Sequence, residues 1–244
     1  MTAFVTRVHQ IWLQGEDQLP DKYKPYVAKH RKLHPDYKLW DEKSIRQLIE
    51  EQYPEMLDTY LSFPYWVQRV DLAKYVILHH EGGLYTDMDL QPLQSYLPLM
   101  MASNGLPTFY LKKVPKMWRW IRDPFLNNNW LYSPYPNHPL MRQLVDYTKA
   151  SSVRMIYDVK IYYILNSTGP QYMMEIVRRF VNTGGKITLF TEDVTNNYFK
   201  DEEAGTWITK WFDKSDKWTL GALAVWMVLI ILTVRFCHVV KRVK

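Results

Sequence analysis

Cysteine is nearly missing from this chain. One residue of 244 is cysteine, Cys237, so no intrachain disulfide can form and the folded part is read as belonging to a reducing compartment. A dense run of lysine and arginine is also missing. The formal net charge is +6, yet the basic residues are scattered. That argues against a nucleic-acid binder and leaves an anionic membrane or a phosphorylated ligand as the partner of a basic chain. The opening "MTAFVTRVHQ" contains no apolar core segment and is read as lacking a secretory signal. Internal repeats and low-complexity tracts are absent too. With 47% hydrophobic and 23% charged residues, the chain has the balance of a globular protein, and its length suits one sizeable domain.

What is present near the end is a run without charge, "WTLGALAVWMVLIILTV", residues 218–234. It is slightly short of the ~20 residues that a bilayer core asks for. Phe236, Val239 and Val240 extend its apolar face, and Arg235 and His238 can snorkel. The expectation is a transmembrane helix over 218–236, with 213–217 as linker and 237–244 as a basic tail. Lys210, Lys214 and Lys217 precede it, and Arg235, Lys241, Arg242 and Lys244 follow, so flanking charge alone does not orient it.

The remaining 1–212 reads as one catalytic domain. Strands are expected at 5–13, 35–41 and 84–86. Helices are expected at 22–34, from Ser44 as cap to 52, at 54–61, and from Pro64 to 80, the last with Val67, Val70, Ala73, Val76 and Ile77 at helical spacing. Gly82 and Gly83 end that helix. Beyond it, strands are expected at 108–111 and 187–190 and helices at 140–150 and 171–182. Alternating strands and helices point to an α/β sheet of parallel character, whose ligands bind beyond the carboxyl ends of the strands.

At such an end stand Asp87 and Asp89, in "RVDLAKYVILHHEGGLYTDMDL". In an extended segment residues two apart point the same way, so these carboxylates would converge on one ligand. Two hard oxygen donors suit Mg²⁺ or Mn²⁺ bridging to a phosphate. A two-metal phosphodiesterase would ask for more carboxylates and histidines than this segment holds.

The segment from Asp71 to Asp89 resembles the D-L-x-R-Y-x-x-L-x-x-x-G-G-x-Y-x-D-x-D signature of the family 32 DXD glycosyltransferases, which include fungal initiating mannosyltransferases and inositol-phosphoceramide mannosyltransferases. The glucosylating domains of large clostridial toxins have a similar segment. "VHQIWLQG", "PDYKLWD", "NHPL", "STGP" and "AGTW" resemble other family landmarks in the right order, so the likeness spans roughly residues 5–212. It implies a GT-A-type, Rossmann-like nucleotide-sugar-binding domain that retains anomeric configuration. By that likeness Asp71, Asp87 and Asp89 are the catalytic acids. Asp89 with Asp87 and Glu202 would hold Mn²⁺ or Mg²⁺ on the donor diphosphate, and Asp71, Lys74, Asp87, Gln10, Trp12, Trp40, Thr206 and Trp207 would meet the donor. The chain departs from the pattern at Lys74, where the family usually has Arg, and Lys offers a point charge in place of a planar fork. It departs again before "AGTW", where Asp201, Glu202 and Glu203 stand in place of a usual His.

Other residues have plainer readings. Trp12 stacks on the base or packs in the core, His9 and Tyr85 are packing residues, and His138 caps a helix. Residues 166–169 are polar and lie near the sugar or in an ordinary loop. Residues 111–125 interleave Lys112, Lys113, Lys116, Arg119 and Arg122 with Met117, Trp118, Trp120, Ile121 and Phe125, a composition that suits a lipid headgroup surface first, sugar stacking second and a packed core helix third. The resulting expectation is a membrane-anchored hexosyltransferase moving mannose from GDP-mannose to a glycan or glycolipid. The alternatives are a UDP-hexose enzyme and a degenerate nucleotide-sugar or lipid-binding module. An ER- or Golgi-like endomembrane with the catalytic part on the cytosolic side is the expected location.

Overall fold

A computed structural model describes residues 4–112, 125–155 and 158–202. Its frame is a six-stranded mixed sheet in the order β2-β1-β3-β6-β5-β7. Strands β1 (Val8–Ile11), β2 (Tyr37–Trp40) and β3 (Gly83–Thr86) form a parallel half. Strand β6 (Phe125–Ser133) runs antiparallel to both β3 and β5 (Thr108–Lys112), and β7 (Thr188–Thr191) lies parallel to β5. A small antiparallel pair, β4 (Leu90–Pro92) and β8 (Phe199–Asp201), sits apart from it. Parallel pairing therefore covers the first strands, as the early alternation predicts, and the antiparallel β6 interrupts it.

Strand alternation sorts the two cores. Tyr85 and Leu131 face a large cluster with the helices α2 (Glu42–Gln52), α4 (Trp66–Glu81), α6 (Pro139–Ser151) and α8 (Pro170–Asn182). Their neighbours Leu84, Trp130 and Tyr132 face the opposite cluster, which holds Leu99 and Met100 of α5 (Leu97–Ala102). Three further helices, α1 (Lys24–Leu33), α3 (Leu57–Ser62) and α7 (Lys160–Ser167), the single turn α9 (Glu192–Thr195) and two 3-10 turns, Glu16–Gln18 and Pro54–Met56, complete the described elements.

Local chemistry explains most boundaries. The α2 cap is Asp41 rather than Ser44. The Asp41 side chain accepts from the Ser44 amide, and Ser44 closes a capping box by accepting from the Asp41 amide. Helix α4 begins at Trp66, so Pro64 lies before its first turn. Tyr65 is extended, with φ −116° and ψ 130°, and takes the N-cap position. The strand expected at 5–13 shortens to Val8–Ile11. Strand β6 is not expected from the sequence, because Asn127, Asn128 and Asn129 break the apolar alternation that marks a strand.

Gly83 stands where β1 and β3 come together. It has φ +88°, and a Cβ there would lie 2.5 Å from the Arg7 carbonyl oxygen. Gly15 has a similar φ, +85°, but open space around it. Gly15→Ala is expected to cost about 1–2 kcal/mol for backbone strain alone. Gly83→Ala should cost about 2 kcal/mol more, since backbone must move. Urea denaturation of the two variants checks this, and equal losses would mean that β1 and β3 part freely.

Buried histidines set the acid limit of the fold. Burial pushes His9, His34 and His138 down from 6.5 to about 4. Above 6.5 both folded and unfolded chains hold them neutral. As pH falls toward 4 only the unfolded chain takes up protons, so stability drops by up to about 1.4 kcal/mol per pH unit for each histidine. Urea midpoints measured from pH 7 to pH 4 should fall steadily. A flat profile down to pH 5 would mean that water reaches these rings.

Candidate active site

Helix α4 is buried on nearly every side, and its buried residues include Gln68, Asp71, Lys74 and His79. Polar groups in such a place must find partners. Asp71 and Lys74 lie one turn apart and pair at 2.9 Å, both side chains almost wholly enclosed. Asp71 Oδ1 also accepts from Asn128 Nδ2 at 2.9 Å, and its Oδ2 accepts from Thr168 Oγ1 at 3.0 Å. The Lys74 ammonium donates to the Asn128 carbonyl at 3.0 Å, lies 3.8 Å from Asp87 Oδ1 and stands 4.7 Å from the Tyr85 ring centre. Burial pushes the Asp71 carboxyl up, against the pull of Lys74 and Thr168. Burial pulls Lys74 down, but Asp71, Asp87 and Asp89 together outweigh it and hold the ammonium above the ordinary lysine range. With Lys74, Asn128 and Thr168 all donating to Asp71, the geometry fits the ion pair rather than two neutral groups.

The two acids after β3 do not sit in a strand. Strand β3 ends at Thr86, the Asp87 amide bonds to the Asn129 carbonyl at 2.8 Å, and the Leu90 amide bonds back to the Asp87 carbonyl at 3.3 Å. The chain turns across these four residues, so the expected extended alternation is replaced by a turn. Met88 at its centre is buried against Leu19, Tyr23 and Val27, and the flanking carboxylates are left half-buried. Tyr85 OH donates to Asp87 Oδ1 at 2.5 Å. Burial and the neighbouring Asp87 hold this phenol well above 10, so it remains a donor. Gln10 Nε2 donates to the Asp87 carbonyl at 3.0 Å, and Tyr37 OH fixes Gln10 from behind at 2.8 Å. The Glu202 amide donates to the Asp89 carbonyl at 3.1 Å.

Asp71, Lys74, Asp87 and Asp89 share the lining of one cleft of about 500 Å³ with Trp12, Tyr85 and Asn128. Trp12 is half-buried on this wall, its Nε1 donating to the Gln18 carbonyl. Two residues expected at the donor take other places. Gln10 is fully buried behind the turn and orients it. Trp40 is a core residue whose Nε1 donates to His9 Nδ1, leaving His9 Nε2–H for the Gly82 carbonyl. Neither lines the cleft. The Glu202 carboxylate pairs with Lys200 at 2.8 Å. Thr206, Trp207, Glu203, residues 113–124 and the apolar run 218–236 lie outside the described residues. No helix among the described residues is long and apolar enough to cross a membrane.

Asn128, which bonds both members of the buried pair, escaped sequence reasoning. Its one visible signal was the unusual Asn triplet within an otherwise apolar segment. Thr168 lay in the polar stretch 166–169, of which Asn166 and Ser167 prove to end helix α7.

With this geometry in place, similarity to known proteins narrows its chemistry. Residues 20–106 match the family described as "Glycosyltransferase sugar-binding region containing DXD motif". That segment carries Asp71, Lys74, Asp87 and Asp89, so the family resemblance falls on the cleft itself. It is 25% identical over 228 residues to inositol phosphoceramide mannosyltransferase 1 of Schizosaccharomyces pombe, covering 86% of this chain and 66% of that protein. It is 30% identical over 179 residues to mannosyl phosphorylinositol ceramide synthase SUR1 of Saccharomyces cerevisiae, covering 71% and 41%. The chain thus spans less than two thirds of the length of these curated relatives. The solved PaToxG glycosyltransferase aligns with TM-score 0.52 at 14% identity, over 73% of this chain and 70% of that one, which shows a shared fold.

The Asp71–Lys74 pair is open to a direct test. Lys74→Met removes the cation and leaves a carboxylate enclosed, for which the expected loss is about 3–5 kcal/mol. Chemical denaturation measures it. A loss below about 1 kcal/mol would mean that Asp71 is solvated or takes up a proton at little cost.

Proposed function

We propose that the chain is a divalent-metal-dependent, retaining hexosyltransferase that moves mannose from GDP-mannose to a glycan or glycolipid. The observation that carries this reading is the convergence of Asp71, Lys74, Asp87 and Asp89 on one cleft. The names of both curated relatives, one a mannosyltransferase and one a mannosyl phosphorylinositol ceramide synthase, support the sugar.

Asp87 and Asp89 fit a hard cation by donor type, since both offer carboxylate oxygen to the same cleft. Among the described residues no three acidic, histidine or cysteine side chains gather closely enough to hold a metal alone. An ion there would complete its shell with phosphate oxygens and water, as Mg²⁺ commonly does. Bound, it would supply Lewis-acid stabilisation of the leaving diphosphate. The chain's own residues do the positioning. Tyr85 fixes one oxygen of Asp87, Gln10 fixes the turn, and Lys74 tempers the repulsion between the acids. Asp71, held by Lys74, Asn128 and Thr168, presents a preset carboxylate edge to sugar hydroxyls.

The reading further places the catalytic part on the cytosolic face of an endomembrane, anchored through residues 218–236. Protease treatment of sealed microsomes should digest it, and a protected domain would reverse the side.

The full chain with Mn²⁺ and a panel of nucleotide sugars should hydrolyse GDP-mannose, and chelator should stop the reaction. Asp89→Ala should lower the rate by about 100-fold or more. Near-normal Asp89→Ala activity in chelator-treated buffer would remove the metal assignment. Preference for a UDP-hexose would move the donor. Binding of a nucleotide sugar without any turnover would make the chain a binding module.

A further inference from the structure

The cleft has a second wall that the donor reading leaves unused. Tyr65, Trp66 and Lys160 are part of its lining. Around Tyr65 lies a knot of rings and cations. The Tyr65 and Tyr163 rings meet edge-on at 6.5 Å. The Arg154 guanidinium lies 5.9 Å from the first and 5.4 Å from the second, and Arg154 Nη1 donates to Tyr65 OH at 3.1 Å. The Lys160 ammonium lies 5.4 Å from the Tyr65 ring.

The sequence neighbours of this knot are apolar and turned outward. Trp66 is 57% exposed, Val153 66%, Met155 47% and Tyr162 53%. Four large apolar side chains left exposed beside one ring cluster in sequence are a candidate interaction surface. Cations held over aromatic rings beside exposed Trp and Tyr are the chemistry of a bilayer interface, where rings sit at headgroup level and basic groups meet anionic lipid. Arg154 Nε and Nη2 also donate to the Asp158 carbonyl at 3.1 and 3.0 Å, and the Asp158 carboxylate accepts from the Met155 amide at 2.9 Å. Arg69, 4.9 Å from the Trp66 ring, already faces Glu42.

Chain length points to the same partner. Glu202, the last described residue, is bonded to Asp89 at the cleft. Trp218, where the uncharged run begins, follows it by 16 residues. At about 3.5 Å per residue that span reaches no more than about 55 Å. An apolar run entering a bilayer would hold the cleft within that distance of lipid.

We propose that the rim formed by Trp66, Val153, Met155 and Tyr162, backed by Arg154 and Lys160, rests on an anionic lipid bilayer, so that the cleft opens directly onto the membrane surface. This rests on the reading of residues 218–236 as an anchor.

The test uses the full chain with Cys237→Ser, reconstituted into vesicles of phosphatidylcholine with or without phosphatidylserine. Single cysteines at Trp66→Cys, Tyr162→Cys and, as control, Met101→Cys carry an environment-sensitive fluorophore. Met101 is 54% exposed on α5, beside the opposite core cluster. Because all three positions are exposed, the labels leave the core intact, and circular dichroism confirms folding. The expected result is a blue shift and loss of emission to a lipid-borne quencher at positions 66 and 162, larger with phosphatidylserine, and no change at 101. A chain that floats with vesicles while labels 66 and 162 stay unchanged overturns the rim and leaves the anchor standing. A chain that does not float overturns the anchor and the rim with it. Equal response at all three positions, or no gain from phosphatidylserine, overturns the assigned surface or its preference for anionic lipid.

Discussion

A lysine enclosed among three carboxylates is the constraint around which this molecule is arranged. Lys74 is only 2% exposed within its helix, so its charge and hydrogen bonds are met largely by protein. Asp71 meets it from the same helix, the Asn128 carbonyl from a central strand, and Asp87 from the turn after β3. Three separate elements are thereby held to one point. Hydrophobic burial stabilises the helix against the sheet, but it is indifferent to rotation by a few degrees. The polar pair is not, because its distances tolerate little error. This pair therefore contributes register and orientation more than net stability.

The same arrangement resolves an electrostatic difficulty. Asp71, Asp87 and Asp89 in one cleft would repel one another without compensation. Lys74 lines the same cleft and offsets part of that repulsion. A lysine suits this enclosed place because its ammonium is compact and can donate in three directions.

Much of this was legible in the sequence. Helical spacing marked α4, paired glycines marked its end, and the acids were visible at once, because each of those signals is local. The sheet's middle was not legible. Strand β6 carries asparagines where a strand should carry apolar residues, and their purpose appears only when Asn128 is found bonded to Asp71. Trp40 and Gln10 looked like ligand contacts because they end strands at the binding edge. Burial sent one into the core and the other behind the turn, and burial is a property of the assembled fold. The turn at Asp87 to Leu90 was likewise hidden, since nothing in "DMDL" resembles usual turn chemistry. Its cause is tertiary: the pull of Met88 into a pocket made by α1 and the segment before it.

Thr168 stands 97 residues after the Asp71 that it bonds, and Asn128 stands 57 after it. Contacts over such separations are costly to close and form late in folding. A ribosome that has delivered residues 20–106 has made the whole recognisable motif and almost none of the environment that keeps Asp71 and Lys74 in place. Until α7 arrives, that stretch is a nascent chain with two buried-type charges and incomplete shelter. The motif is thus the signature of this site without being its folding unit, and a fragment cut to the motif's borders would inherit the acids and lose the cradle.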